Sequence, residues 1–322
     1  MQTKKIQRYQ RMMARQSGFC WGMEYQPGIR AVRGEAPKGS RPSQLLSTRL
    51  RRVIHVLSTT ERVFAQFGLY HPRLFELHEQ RMLNPVSTVH PLHGHPLAVG
   101  MDLPPVLGTV EIAQALNCGH DWVLQVDEHG EPYVAPYPFL GDLLLFLRND
   151  GGQPYCVNWT IKLDHRDFSE KNRTSIKSLN AQKRDRDKAS LRQRIEREHY
   201  QAASIRTIEL SREDLDQEFR FNLNFLFSWH GAPAIPDGTL GSDFDSEIKE
   251  TILSGLPVNE TVKSYSVRWG RQHEFLARLY QSIWERKISV DMFSPILIDS
   301  PFSIEFKDAL DHYAHLFTEM EK

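Results

Sequence analysis

Residues Gly141–Lys162 read GDLLLFLRNDGGQPYCVNWTIK and predict a β-hairpin with polar groups at its open end. Leu143 to Leu147 is an unbroken apolar run of strand length, as expected of a strand buried on both faces. Asn149-Asp150-Gly151-Gly152 supplies the turn chemistry that follows such a strand. Tyr155 to Lys162 then runs back. With the turn centred near Gly151, Asp142 pairs across the ladder with Thr160, and the period of two puts Asn158, Thr160 and Lys162 on one face. An acid, a hydroxyl and an amine therefore converge.

A carboxylate at the mouth of one strand and an X-Lys ending its partner is the layout that metal-dependent phosphodiester cleavage needs. The carboxylate holds a hard cation such as magnesium, which takes oxygen ligands and acidifies a bound water, while an ammonium orients that water and offsets charge developing on phosphate. The pattern is a degenerate PD-(D/E)XK: Leu140-Gly141-Asp142 stands for Pro-Asp, and Thr160 stands where an acid is usual. The plain alternative is a core strand with a solvated Asp at its mouth and a snorkelling Lys at its end.

The chain has 322 residues, enough for two domains or one large one. Forty basic and forty acidic residues cancel, so the whole molecule carries no electrostatic footprint for nucleic acid, but the distribution is uneven. Met1 to His55 contains twelve Lys or Arg against two acids, Glu24 and Glu35. That segment reads as a basic arm, either lying along a phosphate backbone or serving as a solubilising extension that packs only in part. Cys20, Cys118 and Cys156 have no CxxC spacing, so neither a disulfide framework nor a zinc site is indicated, and a reducing cytoplasm fits best. No stretch approaches the roughly 20 apolar residues of a membrane span.

Order is expected to begin near Arg49. Ser58-Thr59-Thr60-Glu61 is a capping-box pattern opening an amphipathic helix through Val63, Phe64, Phe67 and Leu69, which gives Glu61 a structural task of its own. His71-Pro72 ends that helix and Arg73 to Met82 is extended. His90, His93 and His95 crowd together between prolines, an irregular surface loop rather than a metal site. Trp122 to Val126 and Tyr133 to Ala135 form an inserted hairpin around His129-Gly130. Ser178 to Tyr200 is a charged helix covering the sheet or touching DNA, with Leu191 and Ile195 on its apolar side, and Ile205 to Leu210 alternates like a strand. This order predicts a mixed α/β sandwich with at least one antiparallel pair.

Ser211 is the expected domain boundary. Asp243 to Ser254 and Gln272 to Lys287 are helical by period, the latter with Phe275, Leu276, Leu279, Ile283 and Trp284 on one stripe. Ile288 to Asp291 and Pro295 to Ile298 are read as strands of a wing, which makes residues 211–322 a mainly helical, winged-helix-like interaction domain. Residues 1–55 and 56–210 are the arm and the catalytic domain.

With these pieces in place the chain resembles the TnsA family, the endonuclease subunit of heteromeric transposases of the Tn-seven type. The match is strongest in STTERVFAQFGLYHPRLFELHEQ, Ser58 to Gln80, where Glu61 falls on the family's catalytic glutamate. GDLLLFL places Asp142 on its metal-binding aspartate, and TIK places Thr160 and Lys162 on its Gln-X-Lys or Glu-X-Lys. The resemblance implies a restriction-endonuclease-like catalytic domain in which Glu61, Asp142, Thr160 and the Ile161 carbonyl hold Mg²⁺, or Mn²⁺ in its place. It implies 5′-strand cutting of double-stranded DNA at transposon ends, a DDE-type transposase subunit as partner, and an ATP-dependent AAA+ regulator bound by the C-terminal domain. Positive charge for the DNA backbone is expected from Arg49, Arg51, Arg52 and the region containing Lys171, Arg173 and Lys177. The rival expectations are a stand-alone nuclease of restriction or repair, and a DNA-binding adaptor that has lost the chemistry, for which Thr160 speaks.

Overall fold

A computed structural model of the chain describes residues 4–18, 20–169, 178–303 and 306–320, with backbone alone for 169 and 179–186. In chain order the elements are α1 (Lys4–Gln16), β1 (Ser43–Ser47), β2 (Arg52–Val56), α2 (Thr59–Tyr70), β3 (Leu74–Glu79), β4 (Met82–Leu83), α3 (Thr109–Ala115), β5 (Trp122–Val126), β6 (Pro132–Pro136) and β7 (Phe139–Leu140). There follow β8 (Leu143–Arg148), β9 (Pro154–Ile161), α4 (Arg166–Ser169), α5 (Leu179–Gln201), β10 (Arg206–Leu210), α6 (Gln217–Trp229), α7 (Thr239–Leu253), α8 (Asn259–Trp269) and α9 (Gln272–Trp284). The protein is a mixed α/β fold around a four-stranded sheet ordered β10-β9-β8-β3.

The hairpin forms as its sequence predicts. β8 and β9 are antiparallel with Leu143 opposite Trp159 and Arg148 opposite Pro154, so one pair further out Asp142 stands opposite Thr160. The unbroken apolar run has a direct cause. Leu143, Leu145 and Leu147 join Val157, Trp159 and Ile161 against α2 on one face. Leu144, Phe146 and Cys156 pack with Tyr200, Ala203 and Ile205 on the other. β3 pairs antiparallel with β8, and β10 runs parallel to β9. The long crossover between those two parallel strands contains α5, as parallel neighbours require.

Ser58 caps α2, its hydroxyl accepting from Glu61 N at 3.1 Å. The other half of a capping box differs from expectation, because the Glu61 carboxylate reaches Leu57 N at 2.8 Å rather than the cap residue itself. The inserted hairpin is β5 paired with β6, Val126 opposite Pro132. Among residues 90 to 95, His90 is buried and no strand or helix forms, in line with the loop reading.

Three expectations need correction. Residues 4–18 and 20–55 pack on the rest of the chain at several points: Met12 on α1 is fully buried, Arg15 holds Glu35 through two bonds of 2.7 and 2.8 Å, and Tyr25 donates to Glu79 O at 2.7 Å. Scattered aromatics suffice to anchor a segment whose charge suggests solvation. No break in the core appears at Ser211, since one apolar cluster joins Phe67 and Trp159 to Phe219, Leu223, Phe275 and Phe317. The stripe on α9 is buried as expected at Phe275, Leu279, Ile283 and Trp284. Residues 288–298 form no strands; Ile288, Val290, Met292 and Ile296 join that core as irregular backbone, so the C-terminal part has helices without wing strands among the described residues.

Candidate active site

The open end of the hairpin, the first turn of α2 and the inner face of α5 meet at one cleft of about 450 Å³, lined by Glu61, Gln80, Asp142 and Lys162. Asp142 is fixed by Ile161 N, which donates to its Oδ2 at 2.7 Å. The Lys162 ammonium lies 3.4 Å from the same oxygen and donates to Ile161 O at 3.1 Å. The acid and amine expected to converge therefore do so, and Glu61 joins them from α2.

Glu61 is 7% exposed. Burial, followed by the charge of Asp142, pushes its carboxyl up to about 7, against the opposing pull of its hydrogen bonds and of Lys162. Two carboxylates sharing one low-dielectric site resist joint ionisation. Its Oε2 also accepts from Gln80 Nε2 at 3.1 Å. Gln80 has a positive φ of 50°, a conformation that costs a non-glycine residue about 1–3 kcal/mol and tends to occur at functional positions. The surrounding backbone imposes it: Gly28 N donates to Gln80 O at 3.0 Å, and Gln80 N donates to Asp142 O at 3.0 Å.

Thr160 does not turn toward Asp142. Its hydroxyl donates to Glu196 Oε1 at 2.9 Å, and Asn158 Nδ2 donates to the same oxygen at 3.0 Å. Glu196, on α5, is 3% exposed, and burial together with the Asp142 charge raises its pKa. Sequence reasoning missed both Gln80 and Glu196. Glu196 is hidden among the charges of RQRIEREHY, although Ile195, Glu196, His199 and Tyr200 mark an inward stripe by their helical spacing. Gln80 ends the extended segment after α2, and its left-handed backbone leaves no mark in composition.

The residues expected to meet DNA divide three ways. Arg52 is buried, bonded to Glu79 Oε1 at 2.9 Å and 3.7 Å from Glu76, so the structure rules it out as a phosphate ligand and makes it the counter-charge of two buried acids. Arg49 donates to His71 O at 2.6 Å, at the C-terminal end of α2. Arg51 is exposed on the same β1–β2 turn. Glu61 lies at the other end of that helix, and twelve residues span about 18 Å, so neither arginine borders the cleft. Lys171, Arg173 and Lys177 lie outside the described residues. The basic side chains that do line the cleft are Arg8, Lys162, Lys188 and Arg192. Arg8 lies on α1, within the segment whose composition suggests an arm. Arg192 is tied to the site by a 3.0 Å bond to Leu140 O.

A larger groove of about 1260 Å³ lies elsewhere, lined by residues such as Arg73, Asp150, Arg286 and Asp308. Its cations are engaged, Arg286 with Asp308 and Arg73 with Asp150, and no perturbed carboxylate pair faces it. The smaller cleft, lined by Glu61 and Asp142, is therefore the candidate site. No protein-family profile matches the chain, and no curated protein matches it in sequence. Among the described residues no helix is long and apolar enough to cross a membrane.

Proposed function

We propose that the chain is a divalent-cation-dependent DNA endonuclease with a restriction-endonuclease-like sheet, serving as a TnsA-like subunit that cuts the 5′ strands at the ends of a mobile element. The observation that carries the reading is the meeting of Glu61, Asp142 and Lys162, separated by up to about a hundred residues in sequence, at one cleft with a basic rim. Its partners on this reading are double-stranded DNA, a DDE-type transposase subunit, and an AAA+ regulator docking on the helices α6–α9.

The donor set fits a hard cation. Glu61 is a carboxyl pushed up to about 7 by burial and then by the Asp142 charge, and a divalent ion would offset both. Magnesium, or manganese in its place, would be held by Glu61, Asp142, the Ile161 carbonyl and Thr160, and when bound would supply Lewis acidity and a water of lowered pKa. The remaining work belongs to the chain. Lys162 places an ammonium beside Asp142, where it offsets negative charge gathering on a phosphate. Gln80 fixes the Glu61 carboxylate through its amide. Arg8, Lys188 and Arg192 neutralise phosphates along the cleft.

The test is Mg²⁺-dependent cleavage of labelled DNA carrying the element's ends, with the partner subunits present and Asp142→Ala as control. Single-strand cuts at the 5′ ends that vanish in the variant are expected. Tight binding with no cuts in either protein refutes the reading in favour of a DNA-binding adaptor, which the Lys162–Asp142 ion pair and the neutral Thr160 would then explain. Cutting of unrelated DNA without partners would instead indicate a stand-alone nuclease.

A further inference from the structure

The inserted hairpin β5–β6 carries an outer face made only of apolar side chains. Its register sets Trp122 opposite Pro136, Leu124 opposite Val134 and Val126 opposite Pro132, and the period of two points all six the same way. The other face is packed: Val123, Gln125 and Ala135 are buried, and α1 reaches it where Gln10 Nε2 donates to Gln125 Oε1 at 3.4 Å. On the outer face Trp122, Leu124, Val126 and Val134 are 47–62% exposed.

The two edges of this separate two-stranded sheet differ. Asp127 N donates to Glu131 O at 3.0 Å and Tyr137 N to Asp121 O at 2.7 Å, so the odd-numbered residues of β5 bond to β6 and the even-numbered ones turn their N–H and C=O outward. Along β6 the outward positions include Pro132 and Pro136, which lack the donor and close that edge. Along β5, Lys5 Nζ donates to the Trp122 carbonyl at 2.8 Å, whereas the outward backbone groups of Leu124 and Val126 have no partner among the described residues.

Charge decides what can sit there. Residues 82–147 contain seven acids and no Lys or Arg, and Asp127, Glu128 and Glu131 crowd the hairpin turn, a surface that repels phosphate. Two copies joined edge to edge about Leu124 would set Asp127 of each opposite Asp121 of the other, a destabilising like-charge pairing. The exposed face, on the order of 400 Å², is also well under the roughly 800 Å² per partner that a stable dimer buries. We propose that the β5 edge and outer face capture an extended segment of a partner protein as a third strand, with apolar residues at alternate positions and Lys or Arg where it passes the acidic turn. Backbone bonds to Leu124 and Val126 supply affinity in this mode, and the apolar face selects the alternating side chains.

The test is selection of a random dodecapeptide library displayed on phage by the purified full-length chain, followed by fluorescence anisotropy with the enriched peptides. Two variants read the edge and the face separately. Leu124→Pro removes the outward donor and spares the bonds between the strands, as Pro132 and Pro136 already do, and Val126→Ser with Val134→Ser strips apolar surface from the exposed face. Enriched peptides are expected to alternate apolar residues, to carry Lys or Arg at one end, and to bind each variant at least tenfold more weakly. Circular dichroism, the unfolding midpoint and DNA affinity should match wild type in both variants. No enriched sequence, sequences of helical spacing, or equal affinity for wild type and variants overturns the proposal. A dimer in sedimentation that Leu124→Pro dissolves makes the occupant a second copy, and DNA affinity lost in the folded variants makes it nucleic acid; either result overturns it.

Discussion

Replacing Glu61 by Gln should make the metal-free protein more stable at pH 8 and leave it nearly unchanged at pH 5. The carboxyl titrates near 4.5 when unfolded and at about 7 when folded. The folded state therefore binds the proton more tightly, and stability from this group is present below the unfolded value and lost as pH rises through the folded one. At 1.36 kcal/mol per unit the full difference is about 3 kcal/mol, of which about 2.5 kcal/mol falls between pH 5 and 8. Gln keeps an oxygen for Leu57 N and Gln80 Nε2, the two donors to Glu61 Oε2, so the bonds survive and only their charge assistance disappears. The value of about 7 already includes the pull of those bonds on the charged form, so the expected gain at pH 8 over pH 5 is about 2.5 kcal/mol. Urea denaturation in EDTA at both pH values reads the difference. A Glu61→Gln effect that is the same at pH 5 and 8 would refute the claim that burial and the neighbouring Asp142 charge raise this carboxyl. Adding Mn²⁺ at pH 8 should stabilise the wild type and not the variant.

Arg52→Met removes the counter-charge of Glu76 and Glu79, both buried, and should cost about 3–5 kcal/mol in urea denaturation. It should leave the salt dependence of DNA binding by the remaining folded protein unchanged. Lys188→Ala with Arg192→Ala should act the other way, weakening DNA binding across all sequences and reducing the slope of log affinity against log salt by about 1 for each phosphate no longer neutralised. A slope equal to wild type in filter binding across a salt series would remove these two residues from the DNA path.

The hairpin is legible in the sequence because strand length, turn residues and the period of two specify a register on their own, and Asp142 opposite Thr160 follows from that register. Glu61 is legible by its cap position only as a structural residue, and its expected place in the site comes from the resemblance alone. The features that stay hidden depend on which faces meet in three dimensions. Glu196 becomes visible only when α5 is laid on the β9 face that carries Asn158 and Thr160. Arg52 reads as solvent-facing because its charge, like that of Arg49 and Arg51 beside it, favours water. Glu76 and Glu79 reverse that preference, and they approach it only through β3. The strands expected at 288–298 fail for a related reason: their alternating apolar residues are satisfied by packing into the α6–α9 core, which supplies burial without requiring a ladder partner.

Glu76, Arg52 and Glu79 connect the N-terminal segment to the chemistry. Burying an ion triad costs desolvation that hydrophobic residues would avoid, so its value here lies in what it positions. The Arg52 guanidinium lies over the Tyr25 ring, and Tyr25 donates to the backbone carbonyl of Glu79. Gly28 holds the next carbonyl, that of Gln80, and a Cβ at Gly28 would stand 2.7 Å from Leu140 Cδ2 and 3.0 Å from that carbonyl oxygen, so a larger residue would crowd this contact. Gln16 grips the same turn from α1, donating to Gln80 O at 3.2 Å and accepting from Met82 N at 2.5 Å. Two anchors, Gly28 and Gln16, thus converge on Gln80 with its left-handed backbone and a third, Tyr25, holds the residue before it, and the Gln80 side chain bonds the Glu61 carboxylate. The basic character of the segment places Arg8 on the cleft wall, while its aromatic and glycine residues set the site's geometry. One segment therefore both frames the site and extends its positive surface.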